Sequence, residues 1–262
     1  MPPHQSAAAG PALAAAAAIG PYFSWEAWSD GAGWQPFTSL LTPSVAASRV
    51  AVARSTLVSA FGLAPSEVPE RVVASVWFMG VVSRLLSPPL GAAVAGGALP
   101  LATRANLWWR TVPSGPMPMA YGVVLAQADL SPAQVASALV GGPLAETVTP
   151  LLGVFRDTFR LSPKVLWGNV ASALAGAAGV LADTMPRHAA RVGAVLDHAL
   201  TLPPLAGTGS VVRPSPASPR RFLVRANCCL YYRIPGGGTC GDCVLTPEAD
   251  RLRAWSAYLS SG

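Results

Sequence analysis

Apolar residues recur with a helical period along most of the chain, and one device marks where the helices begin. Thr42-Pro43, Ser131-Pro132, Ser162-Pro163 and Thr246-Pro247 each place a hydroxyl acceptor before a proline that needs no amide partner in the first turn. The pattern predicts a helix over 43–61 that ends near Gly62, with Arg49 and Arg54 on its wet side. A second helix covers 69–86 and is stopped by Pro88-Pro89, and a short helix or turn follows through 90–99. Further helices are predicted at 132–140, 144–160, 163–183 and 187–200, with a closing helix from Pro247 to Leu259. Between 104 and 126 the helical period fails, three prolines intervene, and alternating pieces such as "AYGVVLA" suit strand.

Composition shifts divide the chain. Residues 1–20 are low in complexity and read as a flexible arm. Residues 21–41, with Trp25, Trp28 and Trp34, read as a segment that docks on the body. The stretch 203–219 holds five prolines and no apolar period, which predicts a linker. Strand-like "RRFLVRANCCLYYRIPGGG" and the closing helix make up 220–262. The expected fold is therefore mainly α: a helical body over 21–202 with a few short strands, then a small C-terminal cysteine-rich module.

Composition and charge narrow the chemistry. With 262 residues, 52% of them hydrophobic and 11% charged, the chain folds around a substantial core without covalent staples. Arg213, Arg220, Arg221, Arg225 and Arg233 form a run with no acid among them, which suits an anionic partner. No RNA- or DNA-binding signature accompanies that charge, so nucleic acid is not the expected partner. The apolar N-terminus is broken by Gly10, Pro11, Gly20 and Pro21 and lacks a basic n-region, and "VASALAGAAGVLA" (170–182) is short for a span. The expectation is a cytoplasmic protein without a transmembrane segment, peripheral at most at the inner membrane face.

All four cysteines fall within "CCLYYRIPGGGTCGDC", Cys228 to Cys243. A reducing compartment disfavours disulfides, and a bond between adjacent cysteines is strained. "CGDC" is a knuckle that zinc uses, but the adjacent Cys228-Cys229 pair is awkward on one small ion. A two-iron cluster gives such a pair more ways to ligate. Gly236, Gly237, Gly238 and Gly241 allow close backbone approach, with amides free to point at sulfur, while Arg225 or Arg233 nearby would raise a cluster's potential. Spacing alone leaves iron–sulfur, structural zinc and a redox-sensing or electron-carrying role open.

The string C-C-x10-C-x2-C, with "RRFLVRAN" before it and "LYYR" inside it, resembles the signature of the FhuF-like ferric siderophore reductases. "LSPKVLWGNVASALAGA", around Trp167 to Asn169, resembles a helical portion shared with aerobactin-type siderophore synthetases. One departure is Val244, where many members carry proline. The resemblance implies that Cys228, Cys229, Cys240 and Cys243 hold a [2Fe-2S] cluster. It implies one-electron, outer-sphere reduction of a ferric siderophore, of hydroxamate type, to release Fe(II).

No nucleotide- or flavin-binding signature is present, so electrons are expected from a ferredoxin or flavodoxin-like donor docking on the basic run. Trp108 and Trp109, beside Arg104 and Arg110, are candidates to wall a siderophore site, whereas Trp77 and Trp167 suit core packing. Asn169, alone in an apolar run, must satisfy its amide somewhere. Asp157 and Asp183 are expected to pair with helix-face arginines. The alternative reading is a helical interaction protein with a zinc brace.

Overall fold

The computed structural model describes residues 6–31, 33–113 and 115–260. Its helices are α1 (Gly10–Ala17), α2 (Pro43–Phe61), α3 (Glu70–Ala95), α4 (Pro132–Leu139), α5 (Thr149–Phe159), α6 (Pro163–Thr184), α7 (Ala189–Ala199) and α8 (Glu248–Ser260). Its strands are short: β1 (Ser6–Ala8), β2 (Glu26–Ala27), β3 (Gln35–Pro36), β4 (Ala98–Pro100), β5 (Leu107–Trp109), β6 (Met119–Tyr121), β7 (Leu125–Ala128), β8 (Gly209–Val212) and β9 (Phe222–Arg225). The mainly helical class with a few short strands is what the periodicity predicts.

Helix α3 is the axis of the body. It lies along α6 and α1 and also meets α2 and α5, while α4 and α6 pack on α7. Trp77 stacks on Phe155 at 5.7 Å, and Phe155 meets Phe78 and Phe159, so aromatic rings fill the α3–α5 seam. The strands form an antiparallel sheet β1-β7-β4, a sheet β2-β6-β5-β3 in which only β2–β6 is parallel, and the hairpin-like pair β8–β9.

The hydroxyl–proline starts behave unequally. Ser131 Oγ accepts from the Gln134 amide while the Ser131 amide donates to Gln134 Oε1, and Ser162 Oγ accepts from the Lys164 amide. Thr42 precedes α2 without a side-chain cap bond. At its other end α2 stops at Gly62, whose φ of 62° supplies the left-handed turn.

Three expectations are corrected. Pro88 and Pro89 do not stop the second helix, which runs on to Ala95. A proline at 88 removes the amide that would bond the Arg84 carbonyl, and that carbonyl instead accepts from the Trp25 indole at 2.8 Å. The break expected at 141–143 is likewise absent. A π-helical turn, Val140–Val148, carries the chain through Pro143 into α5, and the Pro143 carbonyl accepts from Thr147 Oγ1 at 2.6 Å.

The expected arm is part of the core over its described residues. Ser6–Ala8 pairs with β7, and Ala12, Leu13 and Ala16 of α1 are buried. Residues 1–5 lie outside the described residues. Alanine is small enough for α1 to lie close on α3: a Cβ added at Gly96 would sit 2.5 Å from Ala12 Cα.

Helix α3, the run Pro132–Phe159, and α6 are each long and apolar enough to cross a membrane by length and composition, contrary to the expectation of no such segment. In the folded chain 78% of the apolar window of α3 and 67% of that of α6 are buried within the body, and half of that in Pro132–Phe159.

Candidate metal centre

The predicted linker is the foot of the site. Within 203–219, Gly209–Val212 forms β8 against β9, because the alternating "GSVV" has a partner ladder that its prolines do not interrupt. The segment 220–225, which ends in β9, then runs across α6 and delivers three arginines to helix positions that lack side chains. Gly179 faces the Arg220 guanidinium, Gly193 that of Arg221, and Gly168 that of Arg225, where a Cβ would lie 3.2 Å from Nη2.

This disposes of the expected basic patch. Arg220 pairs with Asp183 at 3.0 Å and Arg221 with Asp197 at 2.8 Å, both partly buried. Arg213 turns its guanidinium onto the Ser218 and Pro216 carbonyls. Of the five, Arg213 and Arg233 are exposed without a carboxylate partner among the described residues, and the Arg233 guanidinium lies 5.8 Å over the Tyr232 ring. Asp183 thus has the arginine partner expected of it, and Asp157 pairs with the adjacent Arg156.

Arg225 is the exception that matters. It is 1% exposed and has no carboxylate partner among the described residues. Its Nη2 donates to Asn169 Oδ1 at 2.5 Å and its Nε to the Asn227 carbonyl at 3.0 Å, with Nη1 3.9 Å from Met79 Sδ. Asn169, fully buried on α6, donates through Nδ2 to both the backbone oxygen and Oγ of Ser75, each at 2.9 Å. Ser75 Oγ in turn donates to the Cys229 carbonyl at 2.8 Å. The lone polar residue of the apolar run is therefore satisfied on every atom, and it joins both helices of the body to the cysteine loop. Ser75 escaped the sequence reading; its only signal was a hydroxyl inside an apolar helix face.

The loop brings all four sulfurs into one neighbourhood. Cys229 Sγ and Cys240 Sγ are 3.6 Å apart, and all four thiols are free. Leu230, at a φ of 74°, turns its amide back onto Cys228 Sγ at 3.3 Å, and the Leu245 amide points at Cys243 Sγ at 3.4 Å. Cys229 and Cys243 are buried, while Cys228 and Cys240 are partly exposed. The glycine amides expected to point at sulfur do not appear in that role. Gly236 and Gly238 serve as left-handed corners, with φ of 76° and 71°.

Electrostatics sort the thiols. The hydrogen bond with Cys240 pulls the Cys229 thiol down to about 6 against the effect of burial, helped by the Tyr231 amide and the Arg225 charge. The same bond pushes Cys240 upward, so the two sulfurs share one proton. Burial raises Cys228, which also feels Cys229, Cys243 and Arg225.

This donor set fits a tetrathiolate metal group. Two thiolates on one tetrahedral metal with bonds near 2.3 Å stand about 3.8 Å apart, close to the Cys229–Cys240 separation. A buried cation without a carboxylate beside four sulfurs is the complement of an anionic cluster.

Trp108 and Trp109 lie on β5 and point to opposite sides. Trp109 is buried, with its Nε1 donating to Ser39 Oγ at 2.9 Å, and Trp108 stacks on Trp28 at 4.9 Å. Neither contacts a cysteine. Trp77 and Trp167 are partly buried and packed on the core, as their helical positions predict.

No curated protein matches the chain. Residues 225–245, from the buried arginine to just past the last cysteine, match the family model of the FhuF 2Fe-2S C-terminal domain, a match that covers the four-cysteine loop seated on α3 and α6 and indicates a [2Fe-2S] cluster there.

Proposed function

We propose that this protein is a ferric siderophore reductase, and that Cys228, Cys229, Cys240 and Cys243 hold its cluster. When bound there, a [2Fe-2S] group supplies one-electron redox chemistry. The chain's own part is to hold an electron-transfer centre at fixed depth: Ser75 and Asn169 fix the cysteine loop on the body, and Arg225 supplies a buried positive charge. The observation that carries the reading is the FhuF-type domain at 225–245.

The substrate is Fe(III) held by hard oxygen donors such as hydroxamates. One electron converts it to Fe(II), which those donors bind far more weakly, so iron leaves without any bond to the protein. No proton transfer is needed, which agrees with the scarcity of histidine, His4, His188 and His198 being the three in the chain. The electron comes from an external ferredoxin- or flavodoxin-like protein. With the basic run spent on structural pairs, the support for its docking moves to the exposed edge of the module, where Arg233, Tyr232, Val244 and Leu245 face solvent. A cytoplasmic site of action, at or near the inner membrane face, is part of the same reading.

The test is a single-turnover experiment. Protein reduced anaerobically with one equivalent of dithionite is mixed with a ferric siderophore in the presence of a ferrous chelator. Recovery of the oxidised visible spectrum should be matched by one ferrous ion trapped per cluster. Failure of every ferric siderophore to re-oxidise the protein, with rapid exchange to another redox protein, would make it an electron carrier instead.

A further inference from the structure

One cavity in the body is unused by anything above. It has a volume of about 400 Å³ and opens between α2, α3 and the segment Trp109–Met117 that links β5 to β6. Val52, Ala53, Leu57, Val76, Trp77 and Val81 give it apolar walls, and Trp109 closes one end. Such a volume and lining are those of a small-molecule site.

Its charged groups are of one sign: among the described residues Arg49, Arg84 and Arg110 line the cavity, and no aspartate or glutamate does. Arg84 is committed to the fold: its guanidinium donates to the carbonyls of Pro21, Ser24 and Met117, binding the N-terminal segment to α3. Burial lowers its pKa to about 10, so it still carries its charge at neutral pH. Arg49 has no carboxylate partner among the described residues, its one side-chain bond being to Ser48 Oγ at 3.4 Å. Arg110 bonds Glu26 through Nη2 and lies 4.5 Å over the Trp34 ring, so its charge is shared between that pair and the cavity wall.

The cavity and the cysteine loop share two helices. Ser75 bonds the Cys229 carbonyl, while Val73, Val76 and Trp77 on the same stretch of α3 line the cavity. Phe61, the last residue of α2, lies against Gly236 of the cysteine loop, and Thr56 and Leu57 one turn earlier line the cavity. Helix α3 and the C-terminal end of α2 thus touch both the cavity and the cysteine loop.

We infer that this cavity is the binding site for an anionic ferric chelate, one whose hydroxamate or similar donors are accompanied by free carboxylate. The inference rests on the reductase reading for the identity of the metal, and adds the location and the charge class. Apolar walls take the ligand's carbon framework, the Arg49 and Arg110 guanidinium groups face its oxygen atoms, and the absence of acid among the described lining residues disfavours a cationic chelate.

Gallium(III) complexes separate binding from electron transfer, because gallium has no accessible divalent state. Isothermal titration of the holoprotein at low salt compares two probes. One is the gallium complex of a neutral trihydroxamate, and the other that of a citrate-based dihydroxamate bearing free carboxylate. The carboxylate-bearing complex should bind about tenfold more tightly, and added salt should narrow the difference. Arg49→Gln alone, and Arg49→Gln with Arg110→Gln, should each erase most of that preference while leaving the visible cluster spectrum unchanged. Equal affinity for the two probes, undiminished preference in both variants, or no binding of either would overturn the inference. Reduction of ferric chelates without gallium-chelate binding would overturn this site and leave the reductase reading standing. Binding without any reduction would do the reverse.

Discussion

Asn169 Oδ1 accepts a hydrogen bond from Arg225 Nη2 at 2.5 Å, joining residues 56 positions apart in the chain. Through it the cation beside the cysteine loop is fixed to α6, and through Asn169 Nδ2 to Ser75 on α3. An uncompensated buried charge is costly unless something anionic lies near it. Here that something is the thiolate set, so Arg225 favours the more negative, reduced state of whatever the thiolates hold.

Arg225→Met should therefore lower the midpoint potential of the cluster, whereas Arg225→Lys should keep most of it while losing the Asn169 bond. Arg233→Ala should lower it far less, because the Arg233 guanidinium is exposed and screened. EPR-monitored redox titration of the three variants checks the order. An unchanged potential in Arg225→Met would refute the charge role, and a loss of stability of about 2–4 kcal/mol is expected with it.

Each of Cys228→Ser, Cys229→Ser, Cys240→Ser and Cys243→Ser should strip or severely weaken the cluster. Iron content and visible absorption should fall together. The helical far-ultraviolet signal should survive, because α1 to α7 pack mainly on one another and the loop touches them at few places. Retention of full iron by any one of these variants would remove that cysteine from the ligand set.

The Trp25 indole stands in for the amide that Pro88 lacks. Trp25→Phe should cost about 1–3 kcal/mol by leaving the Arg84 carbonyl without a donor. In a Pro88→Ala background the helix regains its own donor, and the same substitution should cost clearly less. A double-mutant cycle by urea denaturation measures the coupling, and strict additivity would show that the indole bond is incidental.

The close approach of α1 to α3 gives another test. Gly96→Ala places a methyl group 2.5 Å from Ala12 Cα, a backbone atom that cannot swing aside. It should destabilise the protein by about 1–3 kcal/mol, and a chain lacking residues 1–18 should lose stability rather than gain solubility. A neutral effect of both changes would return this segment to the status of a loose arm.

Much of the molecule was legible without coordinates, because the information is local. Hydroxyl–proline starts, the 3.6-residue period and a terminal Gly62 fix where helices lie, since capping and burial of one face act within a few residues. The four cysteines were legible for a similar reason: sixteen residues of chain cannot carry their thiols far apart. What the sequence could not supply was decided by partners distant in the chain. Whether Pro88 ends a helix depends on the Trp25 indole, which reaches the Arg84 carbonyl across 59 positions of chain. Whether the arginines of 213–233 form a docking patch depends on Asp183, Asp197 and the helix glycines that receive them. Only tertiary structure gathers Arg49, Arg84 and Arg110 around one cavity and sets Glu26 beside Arg110, since a field is the sum over residues that folding brings together and no stretch of chain contains it.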